Sequence, residues 1–125
     1  MKLNYIDNYN ELQENLVRLY NFDKTEAIKF RDLLIEVVIL KKQKLNLSQV
    51  DFIEPVNCNL IFGLFKTDEG ILTKDNYNFF CILTLESFEK MIQLIMPFCK
   101  KESRAHQYLY DVDNPTDLLF CPSAS

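Results

Sequence analysis

Glycine is almost missing from this chain. Only Gly63 and Gly70 occur in 125 residues, against about 7% in an average protein. A dinucleotide-binding turn or a phosphate loop needs clustered glycines, because backbone N–H groups must approach phosphate with no Cβ in the way. Neither glycine stands in a GxGxxG or GxxxxGK spacing, and the GxSxG nucleophile elbow is missing for the same reason. These absences exclude the common nucleotide-binding loops and the α/β-hydrolase site.

Positive charge is also short. There are 14 Lys and Arg against 18 Asp and Glu, a net charge of −4, and only Arg18, Arg31 and Arg104 are arginines. Phosphate binding normally draws on a basic excess, and Arg supplies the bidentate grip on phosphate or guanine. No nucleic-acid partner is expected. The longest apolar stretch, Leu33 to Leu40, is broken by Glu36 and falls far short of the ~20 residues a membrane span needs. The first residues hold no signal-like apolar run, and Cys121 is fifth from the end, which is not a prenylation box. The expectation is a cytoplasmic protein with no membrane partner.

Close cysteine pairs are lacking too. Cys58, Cys81, Cys99 and Cys121 are separated by 23, 18 and 22 positions. Zinc sites usually draw on CxxC-like pairs, and one His is a poor supplement, so no metal and no cofactor are expected. The thiols read as small buried hydrophobes in a reducing compartment.

What the chain does have is ten Phe and six Tyr without Trp, 48% hydrophobic and 26% charged residues. That is globular composition, and at this length about two thirds of the unfolded surface is buried on folding. No linker or repeat divides it, so residues 1–125 form one domain. Tyr9, Leu12, Leu16 and Leu19 recur at helical spacing and predict a helix over 7–20. Asp23 with Glu26 resembles a capping box and opens a second helix to about Leu45. Val50 to Ile53 reads as a short strand stopping at Pro55. Residues 58–66 and 77–85, rich in aromatic and β-branched side chains, read as central strands, with Ile71 and Leu72 pairing locally between them. Thr84 or Ser87 caps a third helix that Pro97 kinks or ends. Residues 104–110 alternate as a strand, and 118–121 make a last one. The order α-α-β-β-β-α-β-β predicts an α+β fold, a mostly antiparallel sheet of four to five strands with three helices on one face.

Candidate chemistry is sparse. His106 is the only histidine; with Cys81 or Cys121 as nucleophile and Asp111 or Asp113 as orienter it would make a thiol enzyme. The run from Asp111 to Asp117 concentrates carboxylates, and acid–base work there is the other enzymatic alternative. As a calcium loop it fails, since Thr116 and Pro122 stand where Gly and Glu are needed. Asp51 with Glu54 and Asp68 with Glu69 are weaker carboxylate pairs, and neither Lys66 nor Lys74 has the Glu two positions before it that a nuclease strand would carry. Lys41, Lys42 and Lys44, and Lys100, Lys101, Arg104 and His106, suit helix C-termini, or a modest anion site. Tyr108 and Tyr110, flanked by Arg104 and His106, are residue types enriched at interfaces. If Phe62, Phe79 and Phe80 leave a sheet face uncovered, that face also points to a partner. The expected function is therefore a small acidic, non-catalytic protein-interaction module, inhibitor- or immunity-like or self-associating, binding through Arg104, His106, Tyr108 and Tyr110; its partner is a protein or a second copy of the chain.

Overall fold

The computed structural model describes residues 1–123. The chain is α+β, in the order β-β-α-β-β-β-β-β-α-β-β. Strands β1 (Lys2–Ile6) and β2 (Asn15–Tyr20) lead into helix α1 (Lys24–Leu33), which continues as a π-helical segment, Leu34–Leu40. Strand β3 (Leu45–Asn46) runs into a 3₁₀ turn at Leu47–Gln49, followed by β4 (Glu54–Pro55), β5 (Asn59–Leu64), β6 (Gly70–Thr73) and β7 (Asn78–Leu83). Helix α2 (Leu85–Lys100), β8 (Gln107–Tyr108) and β9 (Thr116–Cys121) complete it.

The strands form two sheets rather than the single one expected, and two helices stand where three were predicted. One sheet has the order β4-β1-β2-β9-β8 and the other β3-β5-β7-β6. Among the described residues, three of the seven pairings are parallel, β1 with β4, β2 with β9 and β5 with β7, so the antiparallel majority is narrow.

The largest correction concerns the first twenty residues. The helical spacing of Tyr9, Leu12, Leu16 and Leu19 is coincidental, since Leu12 is 77% exposed. Leu16, Val17, Arg18 and Leu19 are consecutively buried, so both faces of this strand are covered. β2 lies between β1 and β9, with Val17 opposite Tyr5 and Leu118. Pairing energy across two neighbours overrides a weak local helical pattern. The intervening loop turns through Asn8 and Gln13, both at positive φ. Asn10 Oδ1 accepts the N–H groups of Leu12 and Glu14.

Helix α1 begins as expected, with Asp23 Oδ1 accepting the Glu26 N–H at 2.9 Å. It ends at Leu40 rather than Leu45. Its last seven residues widen to i→i+5 bonding, as in Lys41 N–H to Glu36 O at 3.0 Å. The expected strand at Val50 to Ile53 is instead two successive i→i+3 turns, Val50 N–H to Leu47 O and Ile53 N–H to Val50 O. Helix α2 is capped by Thr84, whose hydroxyl accepts from Ser87 N–H, and it runs three residues past Pro97. The strand expected over 104–110 shrinks to Gln107–Tyr108.

One core joins both sheets and both helices. Phe30 on α1 meets Phe62 of the four-stranded sheet at 6.0 Å and Phe120 of the five-stranded sheet at 5.7 Å. Phe120 also meets Phe22 at 4.3 Å and Phe98 at 5.1 Å, while Phe62 meets Phe88 at 6.1 Å. These tilted, stacked and edge contacts form a continuous aromatic line across the molecule.

Candidate functional site

Two surfaces emerge from this architecture. The first is the outer face of the four-stranded sheet. Side chains alternate along a strand, so Leu60, Phe62, Phe79, Cys81 and Leu83 point into the core, while Ile61, Phe80 and Ile82 point away. The register places Ile61 beside Phe80 and Phe80 beside Leu72, one row across three strands. Neighbouring positions on this face are Asn46, Asn59, Gly63, Gly70 and Asn78. None of these positions is charged, and the one cation known to lie against them is Lys44, whose Cγ would stand 3.7 Å from a Cβ at Gly63. Ile61, Phe80, Ile82, Leu72 and Phe65 belong neither to the core nor to the half-buried apolar side chains packed against it, among the described residues. Leu72 is 46% and Phe65 50% exposed.

Both glycines flank one residue of this face. Gly63 and Gly70 lie opposite Ile82 on either side. A Cβ at Gly63 would stand 3.3 Å from Ile82 Cδ1, so the missing side chain makes room for that isoleucine. Of the three phenylalanines expected on an uncovered face, Phe80 alone is there; Phe62 and Phe79 are buried.

The edges of both sheets are closed to further pairing. β3, β4 and β8 are two residues long, and Pro55 sits in edge strand β4, where a missing N–H is tolerated. The remaining edge, β6, is capped: Asn114 Nδ2 donates to Glu69 O and Ile71 O, both at 3.1 Å. Short or capped edges block strand addition, which leaves the face as the route for sheet contact.

The second surface is a cleft of about 780 Å³ beside β8. One wall is a stripe of α2, Ser87, Lys90 and Leu94; the opposite wall carries Tyr9, Tyr108, Tyr110, Asp111 and Asp117. Asp117 is on the outer side of β9, and its Oδ2 accepts the Tyr9 hydroxyl in a short hydrogen bond. Burial, then the bonds to Asp117 and to Tyr108, hold the Tyr9 phenol well above its usual pKa. Asp68 at the margin accepts Thr84 N–H at 2.7 Å and Ser87 Oγ–H at 2.8 Å, tying it to the start of α2. The Thr84 amide bond chiefly lowers its pKa.

The four residues singled out from sequence separate. Tyr108, 40% exposed, lines the cleft. Tyr110 lines it too but is half-buried against the core, its hydroxyl donating to Thr116 O. His106 is exposed and meets Tyr108 edge-on at 6.3 Å. Arg104 is exposed on the segment before β8, outside the cleft lining. The sequence points to an apolar sheet face but not to its row, which depends on strand order; it does not point to Tyr9, whose place in the cleft depends on the loop before β2.

For thiol chemistry, Cys58, Cys81 and Cys99 are buried. Burial pushes the Cys58 thiol up to about 12 and raises those of Cys81 and Cys99. A protonated, enclosed thiol is a poor nucleophile. Cys121 is partly exposed, and its Sγ–H donates to Ser123 O at 3.6 Å. Among the described residues no group of three or more His, Cys, Asp or Glu is placed to hold a metal ion, and no helix is long and apolar enough to cross a membrane. Comparison with protein-family models, curated proteins and solved structures finds no match to this chain.

Proposed function

We propose that this protein is a non-catalytic interaction module that self-associates through the outer face of its four-stranded sheet. The observation that carries this reading is the uncharged apolar row Ile61–Phe80–Leu72 with Ile82 beside it. A contiguous apolar patch on a small protein marks a contact surface. This uncharged row suits a second copy of itself, because two such rows meet without like-charge repulsion, while Lys44 at the β3 end of the face can keep its ammonium in solvent on its long stem. The closed sheet edges support face-to-face packing over strand exchange. An inhibitor- or immunity-like role would use the same face against a different protein. An enzymatic role draws less support, since three of the four thiols are enclosed and protonated.

Light scattering on the purified chain across a concentration series tests this. A dimer that Phe80→Ser and Leu72→Ser convert to a folded monomer is expected. A wild-type chain that stays monomeric throughout removes self-association.

A further inference from the structure

The cleft beside β8 stands on different residues from the sheet face and has its own chemistry. Its carboxylates outnumber its cations: Asp68, Asp111 and Asp117 line it with a single ammonium, Lys90. Lys90 is itself matched by Glu86 at 3.5 Å, and Asp68 is engaged at the start of α2. Asp111 is exposed and makes no hydrogen bond or ion pair among the described residues. Three phenol side chains line the same cleft. The hydroxyls of Tyr9 and Tyr110 are consumed internally, by Asp117 and by Thr116 O. The O–H donors of these two rings are therefore used within the protein, and Tyr108 is 40% exposed.

Aromatic rings beside an uncompensated carboxylate make a site for a cation with an apolar or planar body. The ring quadrupole attracts the positive charge, and the carboxylate fixes it. Guanidinium fits better than ammonium here. It is planar, less strongly hydrated, stacks on aromatic faces and forks onto carboxylates. We infer that the cleft binds a guanidinium group, held between Tyr108 and Asp111 with Asp117 at its inner end. The group is either that of a small arginine-like compound or that of an arginine side chain presented by a polypeptide.

The chain has no Trp, and an assigned ring NMR signal of Tyr108 reports on the cleft apart from Tyr5, Tyr20 and Tyr77, which lie outside its lining. The probe is N-acetyl-arginine amide, titrated beside its neutral isostere, N-acetyl-citrulline amide, and beside a blocked pentapeptide with a central arginine. Saturable shifts at Tyr108 are expected, with affinity about tenfold weaker for citrulline, which loses both the ion pair and the cation–π contact. Tyr108→Ala and Asp111→Asn should each weaken binding by about two- to fivefold, with unchanged circular dichroism and thermal midpoint. Saturation by the amide identifies a small-molecule site; saturation by the peptide alone identifies a presented side chain. Equal binding of citrulline and arginine, or arginine binding untouched by both substitutions, overturns the assignment. So does the lack of saturable binding by either arginine probe. Oligomeric state plays no part in this readout, so its failure is separate from that of the sheet-face reading.

Discussion

The side chain of Asn114 occupies the space above Gly70. A Cβ at Gly70 would lie 2.7 Å from Asn114 Nδ2, and Gly70 has φ of +80°. The same amide group bonds Glu69 O and Ile71 O, while Asn114 Oδ1 accepts Thr116 N–H at 2.8 Å. One side chain thus caps the edge of one sheet and fixes the first residue of β9 in the other. The glycine is needed twice, for its backbone conformation and for the room it leaves.

Gly70→Ala should therefore destabilise the fold by about 2–4 kcal/mol, from left-handed strain together with displacement of Asn114. Asn114→Ala should cost about 1–3 kcal/mol through the lost bonds to exposed Glu69 and to buried Ile71 and Thr116. The two losses share one contact, so the double variant should lose less than their sum. Urea unfolding of the four species measures the coupling. Strict additivity would mean that Asn114 does not act through Gly70.

Phe120 is the hub of the aromatic line, touching Phe22, Phe30 and Phe98. Phe120→Ala should cost about 3–5 kcal/mol. Phe80→Ala, on the outer face, should cost less than half of that in a monomer. Chemical denaturation at low protein concentration compares the two. Similar losses would mean that Phe80 is packed within the protomer and not presented by it.

Much of the local structure was legible before the fold. The Asp23 and Thr84 caps, the buried stripe of α2 and the strand character of β7 depend on residues a few positions apart. The early strands were not legible. Leu16, Val17, Arg18 and Leu19 lie in β2 because β1 and β9 flank it, and β9 is about a hundred positions away in sequence. The same reason hid the two-sheet division and the Ile61–Phe80–Leu72 row. Tyr108 is legible from the alternation of residues 104–110 and its interface-type neighbours, but its companion Tyr9 meets Asp117 only through tertiary structure. His106 and Arg104 were grouped with Tyr108 by an expected long strand; with β8 reduced to two residues, that alternation has no strand to act on.

Asp68 is a further point where distant segments meet, since it anchors the start of α2 from the β5–β6 loop. Its carboxyl is held below the usual carboxylate value, chiefly by the Thr84 amide. A lowered folded pKa contributes stability that is present above the unfolded value and lost as pH falls through the folded one. Asp68→Asn should cost about 1 kcal/mol at neutral pH, scaled to an exposed group. Its difference from wild type should shrink below about pH 4, near the ordinary Asp pKa. Thermal melts at several pH values check this, and a gap independent of pH would assign the loss to shape rather than charge.

The thiols give a prediction with the opposite sign. Burial raises the Cys58 thiol to about 12 from 9.0, and raises Cys81 in the same direction. Because the folded values lie above the unfolded ones, the associated stability is complete below about pH 9. It declines as pH rises toward 12, since the unfolded chain gives up protons that the folded chain holds. Tyr110, raised chiefly by burial, adds to the same trend. At pH 8 in native buffer, an aromatic disulfide reagent should modify Cys121 rapidly and the other three thiols slowly. Cys121→Ser should remove the fast phase, and denaturant should release the slow thiols. The folded baseline in circular dichroism should then fail on the alkaline side as the buried thiols and phenols ionise. Fast labelling of Cys58, just before β5, or of Cys81 in β7 in the native protein would show that this sheet opens on the labelling timescale, and that its outer face is not rigid.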